Sequence, residues 1–248
     1  MRRALLIAAL LSSPAAAQNN ASVETLLIRL REAAQGSARS VRLYYRTPFC
    51  DHSVIREPVT VPMRRLRRQR DASASIRAMF AEVDRVQVRE DESGVIRVTI
   101  DNPPVDLLQT RVSLQLDDSH RFSPLWAVAA LESSSEMQAA VNRLGMEAPI
   151  WVTSGMFSRG PSGPHLPEQF RNVTADHYLD EVGKTFRVIV TYAVCPDGRF
   201  RIRTESRDPC VPISYPGRPV STVAEAVAEL SRRVRLPASR ASCRAAAR

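Results

Sequence analysis

Three separated segments of the chain follow one plan, a helix, a short alternating strand and a turn, and no other feature restricts the fold as much. They run over Ser22–Asp51, Asp71–Ile100 and Val173–Thr204. In each, one phrase follows the helix: Ser40-Val41-Arg42-Leu43, Arg85-Val86-Gln87-Val88 and Arg187-Val188-Ile189-Val190. Gly94 and Gly198 each sit in a turn that leads into a basic alternating strand. Val41, Tyr45 and Cys50 hold places comparable to Val188, Tyr192 and Cys195. Hydrophobic periodicity that switches from helical to strand spacing within each segment implies helices packed on a sheet. The expected class is α+β, built from small β/α sandwich units with a helical connector between them.

Local signals place the elements. Ser22 caps a helix reaching about Gln35, with Val23, Leu26, Leu27 and Leu30 on one face and Gly36 as its stop. Ser40 to Arg46 alternates as a strand, and Pro58 to Leu66, with two prolines, suits an irregular edge strand. Asp71 or Ser73 opens a helix buried through Ile76, Met79, Phe80 and Val83. Arg85–Arg89 and Val95–Ile100 then form a hairpin around Asp91-Glu92-Ser93-Gly94. Beyond Asn102-Pro103-Pro104, Leu107 to Leu116 is expected as a strand, and Ser123-Pro124 starts a helix that continues from Ser135 to Leu144. Gly155 to Pro167 has no regular period and is expected as a loop. Thr174 starts a helix, Arg187–Ala193 is a strand, and Pro196-Asp197-Gly198 turns the chain into Arg199–Thr204. A last helix is expected from Ser221 or Thr222 to Val234, with Thr222 and Glu225 spaced as a capping box.

The first residues resemble a secretory signal. Arg2 and Arg3 precede the short apolar run Ala4 to Leu11, and Ala15-Ala16-Ala17 matches a cleavage site after Ala17. The organisation read from these signals is a signal peptide at 1–17, an α/β unit at 18–102, and a strand with helical connector and loop at 103–165. A second α/β unit follows at 166–237, and a disordered tail at 238–248. The expected location is periplasmic or secreted, where disulfides are allowed. No apolar run reaches membrane-spanning length, about 18 residues, so no transmembrane segment is expected.

Residues 22–100 resemble the short N-terminal module of secretins and TonB-dependent receptors, called STN. The resemblance rests on the order helix, strand, then strand–helix–hairpin, carried here by Val61-Pro62-Met63-Arg64-Arg65-Leu66, Ser73–Val83 and the Arg85–Ile100 hairpin. A fainter echo lies at 166–204, in Asn172-Val173-Thr174 and Leu179-Asp180-Glu181-Val182. What the resemblance implies is a protein-binding periplasmic module of β/α sandwich fold, not a catalyst.

The net charge of +9 would ordinarily point to nucleic acid or an anionic surface. Lys184 is the only lysine, however, and so lopsided a use of arginine fits a GC-rich genome better than a phosphate-binding face. An exported chain also rarely meets nucleic acid, which makes that partner unfavoured. The densest charge is Arg64, Arg65, Arg67, Arg68 and Arg70. It reads as a solvated edge strand whose charge discourages pairing, with docking on an anionic envelope surface as the alternative. Arg199, Arg201 and Arg203 form the outer face of a strand whose inner face is Phe200 and Ile202.

No constellation for chemistry stands out. His52, His120, His165 and His177 are scattered singly, without the spacing of a zinc site. The acid pairs Asp91-Glu92, Asp117-Asp118 and Asp180-Glu181 are accounted for by turns and helix faces. No nucleophile elbow, phosphate loop or dinucleotide glycine pattern occurs, so no catalytic residue, metal or cofactor is expected. The leading functional expectation is a non-enzymatic interaction module of the cell envelope, with an envelope protein as partner. A small exported enzyme using His165 or His177 beside a distant acid is the alternative.

Four cysteines remain, Cys50, Cys195, Cys210 and Cys243, and none forms a CxxC pair. Cys195 lies at the tip of the last hairpin, whereas Cys210 lies past the far end of its returning strand. That strand covers about 20 Å, and bridged Cα atoms must lie within about 7 Å. Cys50–Cys195 is therefore the preferred pairing, and Cys50–Cys210 the next.

Overall fold

The computed structural model describes residues 19–47, 61–64, 71–147 and 163–207. The expected signal peptide, the helix from Ser221, the tail, His52, and Cys50, Cys210 and Cys243 lie outside the described residues. The fold is α+β, with helices on a mixed sheet.

The first elements are β1 (Asn19–Ala21), α1 (Val23–Ala34), β2 (Val41–Arg46), β3 (Val61–Met63), α2 (Ala72–Met79), β4 (Val86–Glu90) and β5 (Ile96–Ile100). Ser22 caps α1 by accepting from the Thr25 N–H, and Asp71 caps α2 by accepting from the Ala74 N–H. Each thus satisfies a backbone donor that a helix start leaves open. The next elements are β6 (Arg111–Gln115), α3 (Asp118–Arg121), α4 (Pro124–Ser133), α5 (Ser135–Arg143) and β7 (Gln169–Thr174). The described chain ends with α6 (Ala175–Phe186), β8 (Val188–Val194) and β9 (Phe200–Ser206).

Five strands form the central sheet in the order β4-β5-β2-β8-β9. β2 lies in the middle, parallel to β5 and to β8, and each of these pairs antiparallel with its own hairpin partner. The strands of the first and third repeated segments therefore bond directly to one another. Because strand side chains alternate between faces, the sheet divides its residues between two cores. Val41, Leu43, Tyr45, Ile96, Val98, Ile100, Ile189 and Ala193 pack beneath it with α1 and α2. Tyr44, Val188, Val190, Tyr192 and Val194 pack above it with α4, α5, α6 and the β6–β7 ribbon. At Gly183 of α6 an added Cβ would stand 2.6 Å from Ser40 Oγ, so the absence of a side chain lets α6 approach the sheet closely.

One local expectation needs correction, and one strand was not expected. Leu107–Leu116 is not one strand: Asp106–Gln109 forms a 3-10 turn, and only Arg111–Gln115 is extended. The reason is that neighbouring Leu107 and Leu108 are both fully buried. In a strand they would point to opposite faces, whereas a tight turn delivers both to one core. Strand β7 also occupies residues that carry little strand signal. Only Phe170 and Val173 are apolar there, and their spacing is broken by an irregularity in the pairing with β6.

Candidate functional site

A row of three arginines crosses the upper face of the sheet. Arg42 of β2 is in register with Arg97 of β5, and Arg97 is in register with Arg89 of β4. Like charges in adjacent strand positions repel, so the row requires counter-charges. Asp176 and Asp180, one turn apart on α6, supply them over the inner two. Arg42 donates to Asp180 Oδ1 at 2.6 Å and to the Asp176 carbonyl at 2.6 Å, and its second terminal nitrogen lies 3.0 Å from Asp176 Oδ1. Arg97 reaches Asp176 at 2.9 Å, Asp180 at 2.8 Å, and Asp91 in the hairpin turn. Tyr44 donates to Asp176 Oδ1 at 2.5 Å, and the Arg42 guanidinium lies 4.9 Å from the Tyr44 ring centre.

The electrostatics of this cluster follow from burial and pairing. Arg42 is wholly buried, which alone would lower its pKa, yet Tyr44, Asp176 and Asp180 outweigh burial and hold it charged. Burial pushes the Tyr44 phenol up and outweighs the opposing pull of Arg42. Asp180 is also raised by burial, with Arg42 and Arg97 pulling it back. Asp91 goes the other way. Desolvation would raise it, but Ser93, the Val95 N–H and Arg97 bring it down to about 2. Asp91 does serve its turn, accepting from the Val95 N–H and the Ser93 hydroxyl, but the expectation that a helix face accounts for Asp180-Glu181 is corrected at Asp180, which is buried against Arg42 and Arg97. Paired acids one helical turn apart, opposite a charged residue inside a fully buried strand, were the available sequence signal.

Arg89, the third of the row, is different. It is exposed and has no ion pair or side-chain hydrogen bond among the described residues. It stands on β4, which is an edge of the sheet. The Asp91 N–H donates to the Val95 carbonyl and the Asp101 N–H to the Arg85 carbonyl. In an antiparallel pair such bonded positions alternate, so the backbone groups of Val86, Val88 and Glu90 face outward. The Val86 N–H is used by the Val83 carbonyl. The Val88 and Glu90 N–H groups and the carbonyls of Val86, Val88 and Glu90 have no strand against them among the described residues.

A cavity of about 340 Å³ lies at the carboxyl ends of the three parallel strands. Arg46, Thr47, Asp106, Leu107, Met146 and Cys195 are among its walls. Such ends are where open α/β sheets place ligands.

The other sequence-selected residues scatter. Arg64 contacts Glu82 and is 37% exposed at its side chain; Arg65, Arg67, Arg68 and Arg70 lie outside the described residues. Arg199 pairs with Asp197 at 2.5 Å. His165 and His177 are exposed, and neither meets a carboxylate among the described residues. His120 Nδ1 does meet one, Asp117 Oδ1, at 2.7 Å, on the short α3. Among the described residues there is no cluster of three metal-ligating side chains, and no helix is long and apolar enough to cross a membrane.

Glu132 of α4 is buried above the sheet's other edge, beside β9. Burial pushes its carboxyl well above the ordinary range, and the Ile202 backbone offsets only part of this. A raised folded pKa means that the folded state holds the proton more tightly. The group then favours folding below the unfolded pKa, and that contribution is lost as pH rises through the folded value. Glu132→Gln, which keeps the shape and removes the ionisation, is expected to raise the melting temperature by a few degrees at pH 8. The gain should shrink towards zero at pH 4, as thermal melts at the two pH values will show.

Comparison with protein-family models, with curated proteins and with solved structures finds no match to this chain.

Proposed function

We propose that this chain is an exported, non-enzymatic protein-interaction module of the cell envelope. The observation that carries the reading is the edge of β4, where, among the described residues, no strand faces the outward backbone groups and no carboxylate pairs with the exposed Arg89. Sheet edges left open in this way are templates for another chain, and strand addition is a recurrent mode of peptide recognition. Arg42 and Asp180, buried between the sheet and α6, are already committed to each other. Export rests on the signal-like residues 1–17. The order α1–β2, then β3–α2–β4–β5, is the order on which the likeness to the STN module rests. Expression in a Gram-negative host is expected to yield a processed chain starting at Gln18 in the periplasmic fraction. Affinity capture from envelope extract is expected to recover a reproducible protein partner. Retention of the chain in the cytosol, or repeated capture with no common partner, overturns the reading.

A further inference from the structure

The β4 edge has two unlike sides, and together they describe what fits against it. On the upper side stand Gln87 and Arg89, both exposed. Arg89 extends the arginine row whose inner members are neutralised by Asp91, Asp176 and Asp180. On the lower side Val86 and Val88, with Val83 just before them, are only partly buried members of the lower core. That core is closed by α1 and α2, and at its β4 edge, which α2 touches, the valines stay half-buried. A strand laid along β4 would place its side chains alternately above and below. Below, they would cover the valine rim; above, they would stand beside Arg89.

We infer that the partner is an extended segment of another protein with apolar and acidic residues in alternation, which adds to the sheet along β4. This rests on the interaction function proposed above and names the chemistry of its partner. The outward groups of Val88 and Glu90 supply the backbone bonds, the valines supply an apolar floor, and Arg89 takes the carboxylate. A second copy of this chain fits less well. Pairing β4 with itself sets Gln87 or Arg89, not an acid, beside Arg89.

The test uses the full mature chain and three synthetic peptides, in which valine alternates with glutamate, with glutamine or with lysine. Binding is read by fluorescence anisotropy. The glutamate peptide is expected to bind at least about fivefold more tightly than the lysine peptide, with the glutamine peptide between them. Val88→Pro removes one outward N–H and leaves the β4–β5 bonds untouched, so it should abolish binding while the circular dichroism spectrum is retained. Arg89→Glu, which alters no backbone group, should reverse the preference in favour of lysine, and it serves if Val88→Pro does not fold. Equal affinity for the three peptides, or a preference unmoved by Arg89→Glu, overturns the inference. So does a concentration-dependent dimer that Val88→Pro dissolves, because the edge would then serve self-pairing. A natural partner retained by a folded Val88→Pro chain leaves the interaction function standing and removes β4 as its surface.

Discussion

Replacing Arg42 by alanine is expected to cost about 3–5 kcal/mol. That is a large share of the roughly 5–15 kcal/mol that holds a typical domain folded. The side chain is wholly buried at the centre of the sheet and bonds to both Asp180 and the Asp176 backbone. Its loss leaves Asp180, itself 3% exposed, with only Arg97 as counter-charge, and opens a cavity under α6. Arg42→Met together with Asp180→Leu should recover much of the loss. A buried pair replaced by apolar side chains of similar volume is often neutral, whereas a pair broken on one side is not. Urea titration of the parent, the single and the double variant gives the comparison. A single variant as stable as the parent would show that Arg42 is not needed to neutralise α6.

A Cys50–Cys195 crosslink is the second large effect expected. The parallel pairing of β2 with β8 sets Arg46 opposite Val194, and the Thr47 N–H donates to the Val194 carbonyl at 3.0 Å. Cys195 directly follows Val194 in sequence, and Cys50 follows Thr47 by three residues, a reach of about 10 Å. Arg207, three residues before Cys210 in sequence, stands at the opposite end of the hairpin, where its N–H donates to the Arg187 carbonyl. The length of β8, about 20 Å, separates that end from Cys195. Digestion without reduction should therefore release a peptide joining Cys50 to Cys195. Cys50→Ala with Cys195→Ala should cost about 2–4 kcal/mol. Recovery of Cys195 linked to Cys210 or Cys243 would refute the pairing.

Much of the fold was legible because its signals are local. Ser22, Asp71 and Thr174 cap helices, and Gly94 and Gly198 turn hairpins, at the positions their chemistry suggests. What misled was also local: Leu107 and Leu108 carry strand-like character but occupy a tight turn. The arginine row was not legible. Arg42, Arg89 and Arg97 lie on three separate strands, and each taken alone resembles the polar half of an alternating pattern. Nothing in the sequence sets them side by side until the register does.

By itself, then, the sequence determined the elements: which segments wind into helices, which alternate as strands, and that both occur in each repeated segment. Local backbone preferences and hydrophobic periodicity suffice for that. Only the tertiary structure decided that β2 is the central strand, buried on both faces, and β4 an outer one. The same residue type thereby acquires opposite roles. Arg42, removed from water, must be matched by carboxylates of α6, while Arg89, two strands away, keeps its charge exposed on the outermost described strand. The difference is one of desolvation, and desolvation depends on which strands lie next to which.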